Sequence, residues 1–163
     1  MLQTTSFATP VGELNLVSKE DIVLAAGFNS IKSLIDRISP EDLEKEIKHV
    51  SKIPVISDLI NDYFAGDLNA INAIKVRQAG AKFSQEVWKV MRKIPAGKVL
   101  SYAQLAKRAG SADAIRAAGT ACGNNLIAPI VPCHRIIKSS GAIGNYGYGV
   151  KVKEWLLSHE GAL

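Results

Sequence analysis

The stretch SYAQLAKRAGSADAIRAAGTACG, residues 101–123, decides the fold class of the region that carries the chemistry. Ser101 followed three residues later by Gln104 is a capping box, in which hydroxyl and amide each satisfy a backbone N–H that a helix start leaves open. It opens a helix through Ala109, which Gly110 closes. A second helix runs from about Ala112 to Gly123. Two short helices about a glycine turn make a helix-turn-helix candidate, although any αα-hairpin has the same outline. The second helix is nearly stripped of bulk, and Arg116 is its one long polar side chain. A helix with ordinary side chains is about 10–12 Å across, and the minor groove of DNA is about 6 Å wide. Trimmed side chains therefore suit a helix pressed close to that groove. Tight packing inside the protein explains Ile115 and some of the alanines equally well, and the segment alone does not separate the two.

Upstream, Phe83, Val87, Val90, Met91 and Ile94 fall on one helical face that ends at Pro95-Ala96-Gly97. Residues 67–82 have weak periodicity and read as a linker. Before them, residues 13–18 and 22–28 read as strands about the polar turn Lys19-Glu20-Asp21. Pro40-Glu41-Asp42 reads as an acidic helix start with Leu43, Ile47 and Val50 at helical spacing, and a further helix covers Ser57 to Phe64 and stops at Gly66. Downstream, residues 139–149 carry four glycines without the Walker phosphate-loop pattern. Backbone groups and tyrosines there suit a planar ligand. A last helix covers about Val152 to His159, and Gly161 caps it. The expected class is α+β: a small α/β domain over residues 1–75 and a mostly helical domain over 76–163.

Composition narrows the function. With 47% hydrophobic and 21% charged residues, the chain has the makeup of a globular protein rather than a disordered one. No apolar run reaches the roughly 18 residues that span a bilayer, and Met1 to Phe7 lacks a secretion signal's basic start and apolar core. No membrane partner and a cytoplasmic location are expected. Net charge is +5, unevenly spread: residues 1–75 carry 7 Lys/Arg against 11 Asp/Glu, and residues 76–163 carry 13 against 4. The second part is thus +9, as a nucleic-acid surface would be, and a solvated basic domain is the alternative.

Cys122 and Cys133 are too few for a disulfide framework and fit a reducing compartment. A zinc site needs about four Cys or His ligands at short spacings, and His49 is the one such residue before position 120. No metal and no cofactor are expected. Cys133 stands in Val131-Pro132-Cys133-His134-Arg135, between apolar flanks. A free thiol of pKa near 8.5 is a poor nucleophile at neutral pH unless a base or cation favours the thiolate. His134 and Arg135 lie in the same turn of sequence, so both are expected to lower its pKa. Cys133 is the candidate nucleophile, against the alternative of a buried structural cysteine.

These residues together resemble the O6-alkylguanine-DNA alkyltransferases (methylated-DNA–protein-cysteine methyltransferases). The likeness covers Phe83–Gly161 and includes Ile94-Pro95-Ala96-Gly97-Lys98-Val99, Ser101-Tyr102, Pro132-Cys133-His134-Arg135, Gly144-Asn145-Tyr146 and Lys153-Glu154-Trp155-Leu156-Leu157-Ser158-His159-Glu160-Gly161. A looser likeness lies in Thr9-Pro10-Val11-Gly12 and Tyr63-Phe64-Ala65-Gly66. The resemblance implies a ribonuclease-H-like first domain and a winged helix-turn-helix second domain. It also implies double-stranded DNA containing O6-alkylguanine as partner, approached through the minor groove by a monomer. The altered guanine is flipped out and its alkyl group is transferred irreversibly to Cys133, in a single turnover. The family pattern makes His134 the base through a water, Glu160 the carboxylate that orients it, and Asn125 the hinge. Tyr102 becomes the donor to guanine N3, Arg116 the finger that fills the space left by the base, and Tyr146 a wall of the alkyl pocket. Ser101, Arg135 and Gly147 join the substrate and DNA contacts. Gly147 departs from the serine common in the family, although its backbone N–H can still reach O6, so an altered pocket size is expected. Metal ligands seen in some members have no counterpart here.

Three other readings compete. A lesion binder that flags alkylated DNA without reacting would carry another residue at position 133. A plain winged-helix regulator leaves the Cys-His pair, Asn125 and Glu160 without a purpose. A thiol hydrolase needs His134 in line with its own neighbour's sulfur, which adjacent residues rarely achieve.

Overall fold

The computed structural model describes residues 1–163, which fall into two units. The first comprises Met1–Ala79 together with Leu126–Ile130. Strands β1 (Leu2–Thr9) and β2 (Gly12–Lys19) pair antiparallel, Leu2 opposite Lys19 and Thr9 opposite Gly12. Strand β3 (Ile22–Gly27) runs antiparallel to β2. The sheet order is β4-β1-β2-β3-β5, with β4 (Ile47–His49) parallel to β1 and β5 (Lys75–Val76) parallel to β3. The strands expected over 13–18 and 22–28 are β2 and β3. Strand β1 was not expected, because the buried Thr4 and Thr5 interrupt the apolar alternation that marks a half-buried strand.

Two helices accompany the sheet. Helix α1 (Ile31–Arg37), also unforeseen, starts where Ser30 Oγ accepts from Ser33 N at 3.1 Å. Helix α2 (Ile56–Ala65) matches the helix expected over 57–64 and ends at Gly66, whose φ of 120° suits glycine. The acidic helix expected from Pro40 is absent. Its apolar residues make no buried stripe, since Leu43 and Ile47 are both exposed, and Ile47 instead pairs opposite Leu2. Residues 67–82 are not a linker. They hold a 3-10 turn at Ala70–Ala73 with buried Ile71 and Ile74, then β5 and the start of the next helix.

The second unit comprises Gly80–Asn125 and Val131–Leu163. Helix α3 (Lys82–Lys93) buries Val87, Trp88 and Met91. Helices α4 (Tyr102–Arg108) and α5 (Ile115–Asn124) pack on α3 and on each other. The Trp88 indole donates to Ala121 O at 2.9 Å, and its ring lies so near Gly80 that a Cβ there would stand 2.6 Å from it. Two short strands, β6 (Leu100–Ser101) and β7 (Ile136–Ile137), pair in parallel, and helix α6 (Val150–His159) closes the unit. The architecture is mixed α/β, with a five-stranded sheet and six α-helices. No helix is long and apolar enough to cross a membrane.

Candidate active site

Cys133 opens a single 3-10 turn, Cys133–Arg135, entered through Pro132. The turn is held at its exit by β7, where Ile136 pairs with Leu100 and Ile137 with Ser101. The same ladder therefore fixes the start of α4. The capping box there is complete: Gln104 N donates to Ser101 Oγ at 3.1 Å, and Ser101 N donates to Gln104 Oε1 at 2.9 Å. Tyr102 follows as the first residue of α4, and its phenol interacts electrostatically with both cysteines.

Asn125 caps the end of α5 and is buried. Its Nδ2 donates to Val131 O at 2.8 Å, tying together the points where the chain leaves and re-enters this unit. The same side chain hydrogen-bonds the Cys133 sulfur.

Next to Cys133 in sequence, His134 and Arg135 form a buried triad with Glu160. His134 Nε2 stands 2.9 Å from Glu160 Oε2. Arg135 grips the same carboxylate at both oxygens, Nε to Oε1 and Nη2 to Oε2, each at 2.8 Å, and its Nη1 donates to Ile94 O at 2.6 Å. Burial opposes the charge on Glu160, but the bonds and charges of Arg135 and His134 outweigh it and hold the carboxyl well below its usual range. An ionised carboxylate only accepts, so Nε2 carries the imidazole proton. Burial also pushes the His134 pKa down, more than Glu160 raises it. The ring is neutral, and its buried Nδ1 has no hydrogen-bond partner in the protein. His134 thus offers a lone pair inside the site.

The electrostatics of the thiol differ from the sequence expectation. Burial raises the Cys133 pKa, and the groups that oppose this are Asn125 and the ammonium of Lys153. Arg135 is not among them. It is buried and committed to Glu160, which also removes it from the DNA contacts where the sequence had placed it. Lys153 escaped the sequence reading. It is fully buried, donates to Ile136 O at 2.6 Å and to Asn145 O at 3.2 Å, and thereby links β7 to the glycine loop. The available signal was its spacing: Lys153, Leu156 and Leu157 occupy one core-facing stripe, where a lysine needs a reason to be.

The remaining predicted residues line other parts of this unit. Burial, followed by the two cysteines, raises the Tyr102 pKa, so its phenol stays a proton donor. Tyr146 sits in the glycine loop, partly buried, with its ring edge-on to Tyr148 at 5.6 Å. Gly147 is exposed, and a Cβ added there meets nothing within 4 Å. Glycine is therefore not required by space at that position. Arg116 is exposed in the first turn of α5, and Ile115 beside it is 44% exposed. Of the small residues in this helix, Ala118 and Ala121 are buried, whereas Ala117, Thr120 and Gly123 are exposed. Both readings of the stripped helix hold in part: one face packs inward, the other is bare.

A thiol bonded by an amide, a neutral imidazole on a carboxylate, and a half-bare helix bearing one exposed arginine make up the candidate site of the second unit. Residues 82–162 match the family model described as the 6-O-methylguanine DNA methyltransferase DNA-binding domain. The methylated-DNA–protein-cysteine methyltransferase of Shigella flexneri is 47% identical over 108 residues, 66% of this chain and 63% of that protein. The protein of the same name from Mycobacterium bovis is 44% identical over 164 aligned positions, covering 98% of this chain and 93% of the relative. The crystal structure of Mycobacterium tuberculosis OGT in complex with DNA superposes with a TM-score of 0.78 at 30% identity, covering 98% of this chain and 93% of that one. The chain belongs to the methylated-DNA–protein-cysteine methyltransferase family.

Proposed function

We propose that this protein repairs DNA by moving the alkyl group of O6-alkylguanine onto its own Cys133, once per molecule. The observation that carries the reading is the gathering of the buried Asn125, His134 and Glu160 about the half-buried Cys133, with Asn125 bonded to the sulfur and His134 Nε2 2.9 Å from Glu160 Oε2. The Cys133 sulfur attacks the alkyl carbon in line, the S–C bond forming as the C–O6 bond breaks. The thiol proton passes to His134 Nδ1 through a water, and Glu160 steadies the imidazolium that forms. Tyr102 donates to purine N3, which offsets the charge developing on the departing guanine. The product is a thioether, which no group here hydrolyses, so the protein is consumed.

Chemistry at O6 requires the base outside the stack. We assign Arg116 as the finger that fills the vacated space, and the bare face of α5 as the surface pressed into the minor groove. The exposed Lys107 and Arg108 of α4 supply charge for the backbone. Tyr146 walls the alkyl pocket, with the Gly147 N–H and Ser101 as further contacts. The DNA-bound relative supports duplex DNA as the partner. The five-stranded sheet supports a ribonuclease-H-like α/β domain, expected over residues 1–75 and extending to Ala79 with Leu126–Ile130 added. The α4–α5 pair with its β6–β7 ladder supports a winged helix-turn-helix domain over 76–163. A monomer acting in the cytoplasm completes the reading.

Intact-protein mass spectrometry after incubation with duplex DNA containing O6-methylguanine tests it. A single gain of about 14 Da at Cys133 is expected. Repeated turnover or a gain at Cys122 refutes the assignment. Tight binding without any mass gain selects the lesion-binding alternative.

A further inference from the structure

We infer that Arg135 is a positioning residue that keeps His134 in its neutral, proton-accepting form by fixing and charge-balancing Glu160. The inference rests on the alkyl-transfer reading for its purpose, but not for its test.

The geometry is a shared oxygen. Glu160 Oε2 takes both His134 Nε2 at 2.9 Å and Arg135 Nη2 at 2.8 Å, while Oε1 takes Arg135 Nε at 2.8 Å. The three side chains are buried. Were Glu160 to face His134 alone, the buried carboxylate would have no other cation. It would draw a second proton onto the ring, because an opposite charge at contact favours the charged form. The ring would then be imidazolium, with an N–H at Nδ1 where the reaction needs a lone pair. Arg135 prevents this. With its guanidinium in place, carboxylate and cation cancel, and the pair is balanced while the imidazole stays neutral.

The surroundings act in the same direction. On α6, Lys153 faces His134 as well as the cysteines; on α3, Arg92 faces Arg135. Arg135 and Lys153 both oppose a proton on His134, and the one carboxylate at the ring is already paired with Arg135 at both oxygens. Burial, reinforced by Arg135 and Lys153, holds the ring below its ordinary pKa despite contact with Glu160. A brace serving the fold alone would need no such balance. The bidentate pair could be replaced by packed apolar residues at little cost in stability.

The chain has three histidines, so the His134 ring signal is identified by its loss in His134→Gln and titrated by NMR without any substrate. In parallel, single-turnover methyl transfer from an O6-methylguanine duplex is followed between pH 5 and 9. Arg135→Met should raise the His134 pKa, and the acid limb of the rate profile with it, by at least about one pH unit. Arg135→Lys, which keeps the charge but not the fork, should stay close to wild type in the acid limb whatever its rate. Arg135→Met combined with Glu160→Gln should bring the pKa back down. An equal loss of rate at every pH, with the His134 titration unmoved, overturns the inference, as does an Arg135→Lys shift as large as that of Arg135→Met. Should Arg135→Met not fold, Glu160→Gln alone tests the coupling from the other side: the His134 pKa must fall, and no movement overturns it. If even the wild type transfers nothing, the repair reading fails, and the titrations still decide this one.

Discussion

Replacing Asn125 with alanine removes two bonds that the structure assigns to one amide. The first is the 2.8 Å bond from Nδ2 to Val131 O, and the second is the bond to the Cys133 sulfur. A hydrogen bond to a charged group nets about 1.5–3 kcal/mol, and one pKa unit corresponds to about 1.4 kcal/mol. The Cys133 pKa, already raised by burial, should therefore climb by about one to two further units, and the thiolate fraction near pH 7.5 should fall about 10- to 100-fold. Leaving the buried Val131 carbonyl without its donor costs about 1–3 kcal/mol of stability, within the 5–15 kcal/mol of a typical domain. The variant should thus fold. Two rates are measured against pH: methyl transfer from an O6-methylguanine duplex, and alkylation of Cys133 by iodoacetamide, with Cys122 replaced by serine in both proteins. Both rates should drop by the same factor at neutral pH and recover together as the pH rises. An unchanged iodoacetamide profile beside slowed transfer would refute the reasoning, because Asn125 would then position the chain without touching the ionisation of the thiol.

Other expectations concern the DNA surface, the loop and the response to pH. Arg116→Ala should slow transfer most on a fully paired duplex, where unstacking costs a few kcal/mol, and leave reaction with free alkylated guanine unchanged; equal losses on both would assign Arg116 to the fold or pocket. Wild-type DNA binding should weaken steeply with salt as counterions are released, which titrations at two or more salt concentrations measure. Gly147→Ser should leave the melting temperature within a degree or so, since surface changes of this kind stay within about 0.5 kcal/mol, while changing the relative rates on methyl and larger alkyl groups. Burial raises the pKa of both Cys122 and Cys133. The unfolded chain therefore releases those protons first, and stability is lost as pH rises above about 8.5. The slope should reach about 1.4 kcal/mol per pH unit per thiol, and Cys122→Ala should halve it in urea melts between pH 8 and 10.

The second unit was the more legible because its signals are local. A capping box, an apolar stripe at helical spacing and a cysteine-histidine pair each lie within a dozen residues, and α3, α4 and the Cys133 turn stand where they were expected. In the first unit the pairing is long-range. Strand β4 is three residues that pair with a strand 45 positions earlier, Leu2 opposite Ile47, and its sequence carries no alternation of its own. The spacing of Leu43, Ile47 and Val50 imitated a helix because periodicity records spacing, not burial. At the site, neighbours in sequence misled in a similar way. Adjacency suggests Arg135 as a partner of the thiol, whereas the 3-10 turn points it at Glu160, 25 residues downstream. Lys153 was hidden for the converse reason, reaching Cys133 from a helix twenty residues away.

Where the buried polar groups sit bears on what they are for. In the first unit they are Thr4, Thr5, Asn15, Ser18 and Ser57, all uncharged. The buried histidine, arginine, lysine and glutamate, namely His134, Arg135, Lys153 and Glu160, all belong to the second unit, as does Cys133. Desolvating such groups costs several kcal/mol each, and well-packed apolar replacements are commonly neutral or stabilising. Stability therefore does not explain their concentration in one place. A thiol that must be uncharged and shielded at rest, yet ionise when an alkyl carbon arrives, does explain it. Burial favours the protonated Cys133, Asn125 and Lys153 lower the cost of the thiolate, and in the proposed mechanism the neutral His134 receives the proton. If the proposed single turnover holds, a protein spent by one reaction gains from a thiol that stays unreactive toward everything else until its substrate is seated.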